Sequence, residues 1–181
     1  MFPPLFETDR LRLAAPLPDD REALARWSTD ADYMRHLDDD PVRPMRASDY
    51  DYTTGGGSHD SHYFHLRTVP DDVLIGFVVL SSIKWASGTA ELAIGIGDAA
   101  HRGKGYGQEA MRLILGFAFR ELNLYRVGLR VLAYNTPAIH VYEKTGFTQE
   151  GALRGMVLRE GVRHDLLLYG ILRDEWLAAN T

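Results

Sequence analysis

The stretch that most constrains this chain is His101-Arg-Gly-Lys-Gly-Tyr-Gly107. It follows the apolar run Glu91-Leu-Ala-Ile-Gly-Ile-Gly97 and opens a helical pattern that continues to Leu122. A strand, a glycine turn and a helix together offer backbone N–H groups to a phosphate. The glycines let the main chain approach closely, and a helix N-terminus adds about half a positive charge. The spacing Arg-x-x-Gly-x-Gly, from Arg102 to Gly107, is not a Walker loop, because no Gly-Lys-Ser/Thr follows. It also departs from the Gly-x-Gly-x-x-Gly dinucleotide pattern, since the third glycine comes one residue early. A plain tight turn between strand and helix is the alternative.

The pattern around this loop predicts alternating elements. Residues 10–14 read as a strand, and Pro18-Asp-Asp20 supplies helix-start chemistry, with Ala23, Leu24 and Trp27 on one face. A second short helix is expected over 31–37. From Asp38 to Ser61 periodicity fails, leaving a loop with one helical turn near 48–52. Residues 63–69, 73–85 and 90–97 read as strands joined by short turns, an antiparallel meander. Met111, Ile114, Ala118 and Leu122 give the following helix a buried face. A strand over 125–133 precedes Thr136-Pro137, an N-cap followed by proline at the first helical position. That helix stops at Gly146, a left-handed C-terminal residue. Strands over 147–153 and 164–172 close the chain, joined through Arg159-Glu-Gly-Val162. The expected architecture is a mixed α/β single domain, a meander followed by strand–helix–strand–helix–strand.

Composition narrows the function classes. The chain has 181 residues, enough to bury a full core without covalent staples. It has no cysteine, which removes disulfides, thiolate metal sites and a cysteine nucleophile, and fits a reducing, cytoplasmic setting. No metal site is expected. No apolar run approaches the roughly 18–20 residues that span a bilayer, and Met1-Phe-Pro-Pro-Leu lacks the character of a secretory signal. A net charge of −5 without a basic block argues against nucleic acid as a main partner.

A second motif lies downstream: Asn135-Thr-Pro-Ala-Ile-His-Val-Tyr-Glu-Lys-Thr-Gly-Phe147. Together the two motifs resemble the GCN5-related N-acetyltransferase (GNAT) family. The first matches its acetyl-CoA pyrophosphate loop and the second its Asn-x-x-Ala-x-x-x-Tyr-Glu-Lys-x-Gly-Phe segment. Thr8-Asp-Arg-Leu-Arg-Leu13, the strand ending at Asp98 and the terminal Asp174-Glu-Trp176 look like the branch of RimJ/RimL-like ribosomal-protein N-terminal acetyltransferases. Spermidine acetyltransferases share the layout. The resemblance covers nearly the whole chain and is weakest from Tyr33 to His62.

The resemblance implies a fold whose central strands splay to admit acetyl-CoA. The pantetheine would pair with backbone at Gly95, Ile96 and Gly97. The pyrophosphate would sit on Arg102, Gly103, Lys104, Gly105, Tyr106 and Gly107, with Asn135 bridging pantetheine and helix start. Glycines in a strand interior suit a bulge or close ligand approach. Tyr142 falls at the family's general-acid position. A phenol with an ordinary pKa near 10 stays protonated and can donate to a departing thiolate; a tyrosine packed in the core would occupy the same place. Glu91 is the candidate base, with Asp165, His62, His65 and His164 as alternatives and a strand-end salt bridge as its competing role. Asp38-Asp39-Asp40 lies where the family builds part of its acceptor wall and would attract a cationic amine, unless it is a solvated loop. The expected activity is direct acetyl transfer to a primary amine, either a small molecule or a protein N-terminus, by an enzyme that can form a homodimer. Two rivals stand beside it. An acyl-CoA-binding sensor would not need Tyr142. A dinucleotide oxidoreductase needs a ribose-binding acid after the next strand, where Val127-Gly-Leu-Arg-Val-Leu-Ala133 offers none.

Overall fold

A computed structural model describes residues 5–53 and 59–180. The run Gly55-Gly56-Gly57 and the start Met1-Phe-Pro-Pro lie outside the described residues. The apolar alternations become seven strands: β1 (Leu11–Ala14), β2 (His62–Thr68), β3 (Leu74–Lys84), β4 (Thr89–Ile96), β5 (Arg126–Leu132), β6 (Thr148–Arg159) and β7 (Val162–Leu172). They form one mixed sheet in the order β1-β2-β3-β4-β5-β7-β6. Every neighbouring pair is antiparallel except β4 and β5. The meander is therefore present as expected, and the one parallel pair is joined by a helical crossover.

Among the described residues, five α-helices accompany the sheet: α1 (Asp20–Trp27), α2 (Ala31–Leu37), α3 (Tyr106–Gly116), α4 (Thr136–Lys144) and α5 (Arg173–Ala179). Ala47–Thr53 is a 3₁₀ stretch, close to the helical turn expected there. On α3, Met111 and Ile114 are fully buried, as is Ala118 beyond its end, so the predicted face does pack on the sheet. The helix does not run regularly to Leu122. It widens into a π-turn at Phe117–Glu121, and Phe117 packs its ring against Phe6, Phe64 and His62.

Local chemistry shifts three expectations. The N-cap of α4 is Asn135, one residue before the expected Thr136. Its Oδ1 accepts from the Ala138 N–H, and Pro137 falls in the first turn, where its missing N–H costs nothing. The last two strands are longer than their sequence pattern implies, because bulges between Gln149 and Gly151 and between Leu153 and Val157 break the alternation of β6. Asp20 is a buried anchor rather than a cap. It accepts from the Leu17 N–H at 2.9 Å, from His65 Nδ1 at 2.6 Å and from the Arg67 guanidinium. Burial holds His65 below the usual histidine range despite that carboxylate, whose charge Arg67 already balances. Gly146 takes the left-handed conformation expected of it, with φ +97°. Glu160 and Gly161 both have positive φ, as a two-residue hairpin of the I′ kind requires. No helix among the described residues is long and apolar enough to cross a membrane.

Candidate active site

The parallel seam between β4 and β5 is short. Thr89, Ala90 and Glu91 pair with Arg126, Val127 and Gly128, and the ladder stops there. Strand β4 nevertheless continues to Ile96, paired on its other side with β3. Its β5-facing edge is thus left open from Leu92 onward. A strand edge with free polar backbone invites an extended partner.

Two cavities meet at this splay. The larger, about 580 Å³, is bounded by Gly95 and Ile96 of β4, the Arg102–Gly107 turn and the start of α4. The smaller, about 290 Å³, takes Glu91 from β4, Arg130 from β5 and Asp38 and Asp39 from the loop after α2. Among the described residues, six line both: His36, Leu37, Ile94, Asn135, Ala138 and Tyr142.

The glycine loop is shaped for an anion. Gly103 and Gly105 have φ of +71° and +86°, conformations that other residues adopt only at a cost. Among the described residues, none of the N–H groups from Gly103 to Gln108 donates to a protein acceptor, while Glu109 N–H closes the first α-helical bond to Gly105. These free donors gather at the N-terminus of α3. The loop is pinned by residues just before β1. Arg10 forms an ion pair with Glu109, donates to the Lys104 carbonyl at 3.3 Å and lies over the Tyr106 ring at 5.0 Å. Thr8 Oγ1 donates to Glu109 at 2.9 Å.

Several side chains singled out from sequence have other tasks. Arg102 donates to the carbonyls of Ile96 (2.9 Å) and Gly97 (2.7 Å) and to Asp30 (3.1 Å), and stacks on Tyr33 at 4.9 Å. It fixes the loop against β4 and α2. Lys104 is exposed and lines neither cavity. Asn135 is engaged at both ends of its amide, since Nδ2 donates to the His36 carbonyl at 2.9 Å while Oδ1 caps α4. Tyr134 adds a parallel tie, its hydroxyl donating to the Arg35 carbonyl at 2.5 Å. The C-terminus of α2 is therefore bolted to the turn after β5, bridging the splay. Gly95 and Gly97 serve this packing as well. A Cβ on Gly95 would lie 2.5 Å from the Tyr33 hydroxyl, and one on Gly97 would strike the Trp27 ring.

Tyr142 occupies the wall shared by the two cavities. It is 7% exposed, with Phe147 and Tyr169 rings nearby at 6.1 and 6.5 Å. Its hydroxyl has no hydrogen-bond partner among the described residues, and burial pushes its pKa up to about 12. Glu91 projects from the face of β4 opposite buried Ala90 and Leu92, into the smaller cavity, where Gly128 leaves it room. Asp165 instead accepts from the Gly155 N–H at 2.8 Å, His65 is sealed against Asp20, and His62 and His164 pack on Phe117 and Tyr134. None of these four lines either cavity.

A family model of the acetyltransferase (GNAT) domain matches residues 10–148. The chain belongs to the GNAT acetyltransferase family. It is 36% identical over 144 residues to the probable N-acetyltransferase YjcK of Bacillus subtilis, covering 72% of this chain and 78% of that one. Over 104 residues it is 35% identical to the spermidine N(1)-acetyltransferase of Vibrio cholerae, 58% of this chain and 60% of the relative. A crystal structure of spermidine N-acetyltransferase from Vibrio cholerae in complex with CoA and spermine superposes with a TM-score of 0.83 at 26% identity, covering 94% and 99% of the two chains. This GNAT chain is accordingly an acyltransferase, and acetyl-CoA is the donor of its family. The oxidoreductase and sensor readings fall away.

Several residues that bound the GNAT cavities lie outside both sequence motifs. His36, Gln108 and Arg130 carry no motif, and His36 lies in the stretch where the family resemblance is weakest. His140 is exposed and also lines the larger cavity.

Proposed function

We propose that this enzyme transfers acetyl from acetyl-CoA directly to a primary amine that enters the smaller cavity as a cation. The observation that carries the reading is Tyr142: a proton donor with an unpartnered hydroxyl, on the wall common to both cavities. The larger cavity suits the donor. Its pyrophosphate would rest on the free N–H groups from Gly103 to Gln108, and its pantetheine along the open edge of β4 at Gly95, Ile96 and Gly97. Arg102 and Asn135 would act by holding that frame.

The smaller cavity suits the acceptor. Asp38, Asp39 and Glu91 set three carboxylates against the one guanidinium of Arg130, and such a field draws in cations. The thioester is already activated, so no protein nucleophile is needed. Juxtaposing amine and carbonyl contributes on the order of 7–11 kcal/mol in favourable cases. Proton donation from Tyr142 adds roughly 10²–10⁴-fold. A polyamine, the acceptor of the Vibrio relatives, and a protein N-terminus both meet these requirements.

The test is thiol release from acetyl-CoA, followed with a thiol-reactive dye, across spermidine, an aminoglycoside, free amino acids and N-terminal peptides. The chain has no cysteine and adds no background. One acceptor raising the rate well above hydrolysis is the expected result; no acetyl-CoA binding by calorimetry would refute the reading. We further propose a cytoplasmic enzyme of one catalytic domain, paired as a homodimer along β6. That edge strand and its hairpin expose Leu153, Met156, Leu158 and Val162. Sedimentation of Leu158→Lys as a smaller species than the unmodified chain would support the pairing, and equal sedimentation would count against it.

A further inference from the structure

The transfer needs a neutral amine, yet an amine drawn in by three carboxylates arrives protonated. We propose that His36 is the base that removes that proton. The assignment rests on the amine-acetylation reading above and adds a residue to it.

His36 stands where both substrates meet. Among the described residues, six border both cavities, and of these His36 and Tyr142 are the ones whose side chains can exchange a proton. Tyr142 is buried in a setting that holds its proton, so it can serve as the acid but not as the base. Glu91 borders the acceptor cavity alone, and Asp165, His62, His65 and His164 border neither.

The hydrogen bonding of the ring selects its tautomer. His36 Nδ1 lies 2.8 Å from the Asp32 carbonyl oxygen, which can only accept. The proton of the neutral ring therefore sits on Nδ1, and Nε2 carries the lone pair. Nε2 has no protein partner among the described residues, and the side chain is 36% exposed. The Asp32 carboxylate, 3.7 Å from Nδ1, faces the charge that forms when Nε2 takes a proton. The ring is also held in place. Its edge-to-face contact with Tyr134 is 5.3 Å between centroids, and the ties from Tyr134 and Asn135 fix the helix end that carries it.

The charged surroundings are acidic on balance toward the acceptor cavity and basic on balance toward the donor cavity, where Asp32 is the one carboxylate among the described residues. Toward the acceptor cavity stand Asp38, Asp39, Glu91 and Arg130. Toward the donor cavity stand Arg102, His101 and His140, and His164 lies behind Tyr134.

The protons balance. His36 Nε2 takes one from the ammonium group. The freed nitrogen lone pair forms the C–N bond to the acetyl carbon, and the C–S bond breaks with its electron pair on sulfur. Tyr142 donates its proton to that sulfur and regains one from the acetylated nitrogen. His36 returns its proton to solvent, so one proton is released per turnover.

The experiment compares kcat/KM from pH 6 to 9.5 for the unmodified enzyme and His36→Gln, with spermidine as the cationic probe and aniline as a probe that is neutral throughout. With spermidine, we expect His36→Gln to lose roughly 10²-fold at pH 7 and to approach the unmodified enzyme at pH 9.5, where free amine is abundant. With aniline the two should match within a few-fold. Added imidazole should restore part of the pH 7 rate to His36→Ala. Acetyl-CoA binding by calorimetry confirms that each variant is folded. Parallel pH profiles, an equal loss with aniline, or absent imidazole rescue would each overturn the assignment while leaving amine acetylation intact. Failure of the unmodified enzyme to acetylate either amine would overturn both.

Discussion

The Tyr142 ring is buried, but its hydroxyl has no protein partner and is not among the sealed polar atoms of the described residues. It lies on the wall of both cavities, where substrates would meet it. Tyr142→Phe removes one oxygen and leaves the ring packing with Phe147 and Tyr169 in place. We expect turnover to fall by roughly 10²–10⁴-fold while the calorimetric affinity for acetyl-CoA changes little; a matching loss of affinity would mean that the hydroxyl holds the donor rather than supplying a proton. Arg102 and Asn135 show what a single sequence withholds. A motif identifies them, but only the fold reveals that Arg102 spends its donors on Ile96, Gly97 and Asp30, and Asn135 its amide on Ala138 and His36. Glu91 is the opposite case. Its facing turned on a register that period-two alternation alone did not fix, and pairing with Ser81 and Gly128 settles it.

Between elements, the decisive contacts lie across the splay. Tyr134 and Asn135 hold the last carbonyls of α2, and Arg159 from β6 donates to the carbonyls of Asp38 and Asp40 at 2.9 and 3.0 Å. Helix α2 thereby forms a fixed roof over the junction of the cavities. Asn135→Ala removes an N-cap, worth about 1 kcal/mol, together with the tie to His36. We expect a lower urea midpoint and a raised KM for acetyl-CoA; a stability loss with unchanged KM would show that the roof does not shape the donor cavity. Gly95 in β4 and Gly97 just past its end were legible as unusual but not for their full reason. Sequence pointed to a close ligand approach, whereas Tyr33 and Trp27 fill the space where their side chains would be. Long-range packing from α1 and α2 leaves no periodic trace near residues 95–97. The length of β6 was hidden for a related reason, since its bulges scramble the alternation that identifies a strand.

At the scale of the whole molecule, the meander, the crossover helix and the order of elements were all readable, because each rests on local periodicity and turn chemistry. The place of β7 between β5 and β6 was not, since no local signal states which strands pair. The sheet that results has a gap in its backbone pairing where β4 and β5 part. A donor whose extended arm runs along that gap would act as a missing strand, so ligand occupancy and folding become one equilibrium. Saturation at a hundredfold excess over Kd adds about 2.7 kcal/mol, or roughly 5–10 °C in Tm for a chain of this size. Differential scanning with acetyl-CoA should show that rise, and an unmoved Tm would refute the coupling. Inside a cell the same coupling would tie survival of this polypeptide to metabolic supply: when acetyl donor runs short, more copies unfold and meet proteases, and the capacity to spend acetyl groups shrinks with the store of them.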